Sequence, residues 1–172
     1  MKKAIRLISG VVAFVLLTVS LFVPITVSAA DYTAPEEAKF ITDVNAGRIL
    51  AGINPGTTVS DLETMFSGYD LSVKNILNTT VTTDTKIGTG FGVTVSLSGA
   101  TVDTFTTIVY GDVNGDGDIT IMDATAIQLH IAQLEMLPED KLACADTDGD
   151  GKIAIMDATQ IQLFIAQLIP EL

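Results

Sequence analysis

The sequence predicts an α+β chain: a small mainly-β module with one helix, followed by an all-α unit of two loop–helix repeats. Three observations lead there. Runs such as FGVTVSLS (91–98) and TFTTIVY (104–110) alternate apolar and polar residues with the period of half-buried strands. A single early stretch, TTVSDLETMFSG (57–68), has helical spacing. The third is a duplication: GDVNGDGDITIMDATAIQLHIAQL begins at Gly111, and from Asp146 the chain repeats it as DTDGDGKIAIMDATQIQLFIAQL.

In the early helix, Ser60 reads as the N-cap with Glu63 three residues on, Leu62, Met65 and Phe66 supply the apolar face, and Gly68 closes the helix. Between the repeats, Pro138 in LEMLPEDKLACA is expected to open a short connecting helix. The first thirty residues stand apart. Lys2, Lys3 and Arg6 precede an apolar run from Leu7 to Val23, and Ser28-Ala29-Ala30 follow, which is the layout of a secretory signal peptide (1–30). An uncleaved anchor is the other use of so long a run. The expected organisation is then an α+β module over 31–109 and the repeat unit over 110–172, in a secreted, extracellular and monomeric protein.

From Asp31 onward, six Lys+Arg face twenty-one Asp+Glu, a net charge of −15, which argues against a nucleic-acid partner. Eight of those acids fall in two loops, 112–123 and 146–157. Such crowding calls for a cation. Cys144 is the single cysteine, so no internal disulfide is available and calcium is a substitute staple.

A hard divalent cation takes six to eight oxygens, which a twelve-residue loop supplies from alternate positions if a glycine at the sixth turns the backbone. In the first loop Asp112, Asn114, Asp116, the Asp118 carbonyl, Thr120 and Asp123 occupy positions one, three, five, seven, nine and twelve, with Gly117 at six. In the second, Asp146, Asp148, Asp150, the Lys152 carbonyl and Asp157 match them, with Gly151 at six. Ala154 at position nine has no side-chain oxygen, so water would fill that place. Two Ca2+ ions are expected. Ile119 and Ile153, at position eight, are expected to pair in a short strand contact.

On the repeat helices Ala124, Ile127, Ile131 and Leu134, and again Ala158, Ile161, Ile165 and Leu168, form the expected core stripes. At ~100° per residue, Leu129 and Leu163 fall roughly 200° away from Ile127 and Ile161. Met122 and Ala126, and Met156 in the second copy, extend that outer stripe. It either packs on the front module or receives a partner. His130 reads as a flank residue beside the core stripe and Cys144 as a small buried hydrophobe.

Two loop–helix copies with Asp at position twelve, a strand ahead of the first loop and only the exiting helix present, closely resemble the type I dockerin of cellulosome-type assemblies. That resemblance implies a cohesin module of a scaffold protein as partner. It also implies recognition through loop positions ten and eleven and residues further along each helix: Ile121, Met122, Gln128, Leu129 and Gln133, with Ile155, Met156, Gln162, Leu163 and Gln167. Equivalent copies imply that either helix can lead, the domain being rotated by half a turn. Tyr110 and Pro170 would stack where the domain's ends meet. The 31–109 module is similar to small uncharacterised modules found ahead of such domains.

The front module has neither His nor Cys, which removes the common nucleophile–base pairs and zinc sites. Glu36, Glu37, Asp61, Glu63, Asp70, Asp84 and Asp103 are a pool of carboxylates for glycoside chemistry, and most have structural explanations. The expected function is a non-catalytic secreted adaptor of a polysaccharide-degrading complex. A calcium-stabilised structural or cell-envelope protein, and a small carbohydrate-active enzyme, stay open beside it.

Overall fold

The computed structural model describes residues 32–43 and 47–172; the expected signal segment lies outside the described residues. Five strands form one sheet: β1 (Lys39–Asp43), β2 (Gly47–Ala51), β3 (Asp70–Lys74), β4 (Gly92–Leu97) and β5 (Ala100–Thr107), in the order β1-β2-β5-β4-β3. Helix α1 (Val59–Met65) lies between β2 and β3, and α2 (Ile121–Ile131), α3 (Glu139–Ala145) and α4 (Ile155–Ile165) follow the sheet. None of the described helices is long and apolar enough to cross a membrane.

Neighbouring strands run antiparallel except β2 and β5, which pair in parallel through Ile49↔Thr106 and Leu50↔Thr107. The β4–β5 hairpin closes in two residues, Ser98 and Gly99, both at positive φ (51° and 81°), the twist that matches right-handed strands. Val93, Val95 and Phe105 alternate with Thr94 and Thr104, so one sheet face is apolar. Helix α1 contributes Leu62 and Phe66 to the same core. The Phe66 ring stacks on Phe105 at 5.5 Å, and Phe40 meets Phe105 edge-on at 4.9 Å.

The cap of α1 differs from the sequence reading. Thr58 is the N-cap and Asp61 its reciprocal partner, in place of Ser60 and Glu63. Thr58-x-x-Asp61 and Ser60-x-x-Glu63 fit the same motif two residues apart; the backbone chooses the first because Val59 and Ser60 still donate to the Thr85 and Thr83 carbonyls. The Thr58 N–H donates to Asp61 Oδ2 at 2.8 Å, and this bond with the Thr58 hydroxyl holds the Asp61 carboxyl below its ordinary range. A lowered folded-state value stabilises above the ordinary Asp range and is lost as pH falls. Loss of the cap hydroxyl in Thr58→Ala is expected to cost about 1 kcal/mol and to leave part of the acid dependence of the melt, since the backbone N–H at 58 still donates to Asp61; thermal unfolding between pH 3 and 7 would show both.

A second core gathers Ala124 and Ile127 of α2, Cys144 and Ala145 of α3, and Ala158 and Ile161 of α4. Ile49 of β2, Ile108 and Val113 complete it, so sheet and helices share this core. The expected stripes are shorter than their periodicity. Ile131, Leu134, Ile165 and Leu168 are 40%, 77%, 42% and 71% exposed. Each helix stops at its Ile, and Gln133 (φ 55°) and Gln167 (φ 58°) reverse the chain in the left-handed conformation that ends many helices. Those two glutamines, placed on the partner face by resemblance, lie just past their helices and are exposed.

Candidate metal centre and adjoining helix faces

Each acidic loop leads straight into its helix, because the residue at position twelve is also the third residue of that helix. Asp123 is wholly buried. Its Oδ1 accepts from the N–H groups of Val113 (2.9 Å) and Asn114 (3.0 Å), and its Oδ2 from the Thr120 N–H (2.9 Å). Thr120 caps α2, its hydroxyl accepting from the Met122 N–H at 3.2 Å. Asp157, equally buried, accepts from Thr147 (2.8 Å) and Asp148 (3.3 Å) on Oδ1 and from Ala154 (2.7 Å) on Oδ2. One carboxylate thus ties the start of each loop to its end.

The remaining acids fold the loops on themselves. Asn114 Oδ1 accepts from the Asp116 N–H at 2.9 Å while its Nδ2 donates to Asp116 Oδ2 at 2.8 Å, and Asp116 Oδ1 accepts from the Asp118 N–H. In the second loop, Asp148 accepts from the Asp150 N–H and Asp150 from the Lys152 N–H. Asp118 pairs its carboxylate with Lys86 of the front module. The glycines at position six, Gly117 and Gly151, sit at φ 87° and 81°, a backbone that a side chain would strain.

Asp112, at position one, is buried and accepts four backbone bonds: Gly115 and Asp116 on Oδ1, Thr89 and Gly117 on Oδ2. Burial pushes its carboxyl above the ordinary aspartate value; the N–H groups of Thr89 and Gly115 oppose the rise and the Asp123 charge adds to it. A neighbouring cation would relieve that penalty. Asp146, its counterpart, accepts from the Gly151 N–H at 2.9 Å, and its buried Oδ1 has no hydrogen-bond partner. Carboxylate oxygens of Asp146, Asp148 and Asp157 lie within 4.8 Å of one another. An orphaned buried oxygen amid converging carboxylates suits a hard cation, which takes oxygen ligands only.

The start of each helix is open to solvent: Ile121 and Met122 are 55% and 63% exposed, Ile155 and Met156 57% and 54%. Gln128 and Gln162 are exposed beside them, and Leu129 and Leu163 are half-buried. Among the described residues, the front module leaves these Ile–Met pairs exposed. Ile119 and Ile153 do not pair as strands; each packs on the shared helical core, and Ile119 lines an open groove of about 570 Å3 against Phe164, Leu168 and Pro170 at the end of α4. Where the ends of the repeat unit meet, Leu172 lies against Gly111 so closely that a Cβ there would stand 2.4 Å from Leu172 Cδ1. Tyr110 and Leu172 both pack on the shared helical core there. His130 Nδ1 accepts the Leu137 N–H at 3.0 Å and anchors the connecting segment. Burial pushes the Cys144 thiol up to about 12, which leaves it inert.

Residues that the sequence reading missed come from the front module. Thr89, Lys86 and Gly88 pack directly on the first loop, and the signal was the doubled glycine of IGTGF, which in a strand-like run marks a close backbone approach. Of the front-module carboxylates, Asp103 pairs with Arg48, itself stacked 3.7 Å from the Phe40 ring centre, and Asp61 caps α1.

Residues 110–166 match the family described as dockerin type I domain. Among solved structures, the chain is similar to one from Acetivibrio cellulolyticus, a complex of the third ScaC cohesin with the ScaB dockerin carrying an IN-to-SI change in its N-terminal helix and displaying a type I interaction. The similarity is at 30% identity over 37% of this chain and 90% of that one, with a TM-score of 0.36. No curated protein matches the chain.

Proposed function

Residues 110–166 are a type I dockerin domain, and from that premise we propose that the protein is a secreted, non-catalytic adaptor that binds a cohesin module of a scaffold protein in a polysaccharide-degrading assembly. The observation that carries the reading is the exposure of Ile121-Met122 and Ile155-Met156, each pair held at the mouth of an acidic loop. Contiguous exposed apolar residues of this kind mark surfaces that another molecule covers. The cohesin that fits presents an apolar surface to the Ile–Met pairs and hydrogen-bonding groups to Gln128, Gln133, Gln162 and Gln167.

Calcium is the cofactor this reading requires, one ion per loop, with Asp112, Asn114, Asp116, Thr120 and Asp123, and Asp146, Asp148, Asp150 and Asp157, as side-chain ligands, and the carbonyls of Asp118 and Lys152 completing the sets. The ion supplies a positive centre that offsets the crowded carboxylates. The residues do the rest: Asp123 and Asp157 fasten the loops to α2 and α4, and the helix starts then stand in fixed relation to each other. The reading in which the outer helix faces pack on the front module finds no support in the four exposures. A pull-down of the intact chain against a panel of cohesins, with calcium and with chelator, tests the function. Retention by at least one cohesin, lost on chelation, is expected; no retention by any cohesin, or retention indifferent to chelator, would overturn it.

A further inference from the structure

The two loops are nearly the same in sequence and differ in what surrounds them. Asp112 accepts a hydrogen bond from the Thr89 N–H at 2.8 Å, whereas among the described residues Asp146 accepts only from within its own loop and keeps a buried oxygen unpartnered. Thr89 is itself fixed: its hydroxyl donates to the Val109 carbonyl (2.9 Å) and accepts from the Val109 N–H (3.0 Å), and its carbonyl accepts from Lys141 Nζ (2.9 Å). Lys86 pairs with Asp118 on the other side of the turn. The backbones meet without room for a side chain. A Cβ on Gly88 would stand 2.8 Å from the Gly115 oxygen and 2.9 Å from the Gly117 nitrogen, and one on Gly115 would stand 2.6 Å from the Thr89 oxygen. Gly149 and Gly151, the matching glycines of the second loop, have nothing within 4 Å.

We propose that the front module's turn 86–90 is a brace that positions Asp112 and holds the first loop in its ion-ready shape, so that this loop stays ordered without calcium while the second depends on the ion. This rests on the calcium reading above. The physical reason is where the ordering entropy is met. For the first loop it is met when the front module folds, and for the second only when the ion arrives. Thr89 is a positioning residue in this scheme, acting on the cation through Asp112. The two sites are consequently unequal, with the first the tighter.

Amide hydrogen exchange on the intact chain, with calcium and with chelator, decides the matter. On chelation the amides of residues 149–152 are expected to lose roughly tenfold or more of their protection, and those of 115–117 to stay within about threefold. Gly88→Ala, which wedges the turn off the loop, should make the first loop respond like the second while β4 and β5 remain protected; Thr89→Ser, which keeps both the N–H and the hydroxyl, should leave the pattern of the unaltered chain. In an Asp146→Asn background, where the first site titrates alone, Gly88→Ala should weaken calcium binding roughly tenfold. Should Gly88→Ala unfold the front module, the comparison of the two loops in the unaltered chain still gives the answer. Equal loss of protection in both loops would overturn the brace and leave the calcium reading standing. No response in either loop, with no calcium uptake by calorimetry, would remove the calcium reading and the brace with it.

Discussion

Asp123→Ala and Asp157→Ala are each expected to destabilise the helical half by about 3–5 kcal/mol, because each removes the acceptor for three backbone N–H groups. Both carboxylates are 0% exposed, so water does not readily replace them. A buried donor left unpaired costs about 1–3 kcal/mol, and a domain holds only about 5–15 kcal/mol in all. Either change alone therefore brings the unit near its limit, and the double variant should show no cooperative melt of α2 and α4. Asparagine at these places keeps one accepting oxygen and turns an amide toward the other donors, so its cost should be smaller but still well above 1 kcal/mol. Urea titration followed by helical circular dichroism, in saturating calcium, measures this. Losses under about 1 kcal/mol for both alanine variants would show that the loops are not fastened through position twelve.

The second large effect is on binding alone. Changing Ile121, Met122, Ile155 and Met156 together to alanine should weaken cohesin binding at least 100-fold, about 3 kcal/mol, since buried apolar anchors at the centre of an interface carry most of its energy. The melt should hardly move, because each side chain is more than half exposed and surface changes stay within about 0.5 kcal/mol. Changing one pair and not the other separates two modes. If either helix leads the contact, Ile121→Ala/Met122→Ala and Ile155→Ala/Met156→Ala each leave binding nearly intact. Complete loss from one pair alone would make the copies unequal. Binding isotherms on all three variants, read beside their melting curves, keep failure to fold apart from failure to bind.

What the sequence disclosed was whatever depends on local spacing. The repeat is legible because its twelve positions are contiguous, and Leu62 and Phe66 are legible because a helix sets them one turn apart. Thr58 was missed where two capping motifs overlap and the choice falls to the backbone partners of Val59 and Ser60. Leu134 and Leu168 were read as core because the period continues through them; Gln133 and Gln167 end the helices in a left-handed conformation that glutamine does not advertise. The parallel pairing of β2 with β5 and the seat of Thr89 on Asp112 join segments far apart in the chain; the glycines of IGTGF mark that some backbone comes close, but no local pattern names the partner.

Ile49 leaves the ribosome well before Ala158 and Ile161, which belong to the same core cluster. Until those arrive, the newly made sheet carries an uncovered isoleucine beside Ile108, and contacts of such long sequence separation are slow to close. Each half therefore lends the other part of its covering, and cutting the chain between them is expected to leave each piece with a greasy scar.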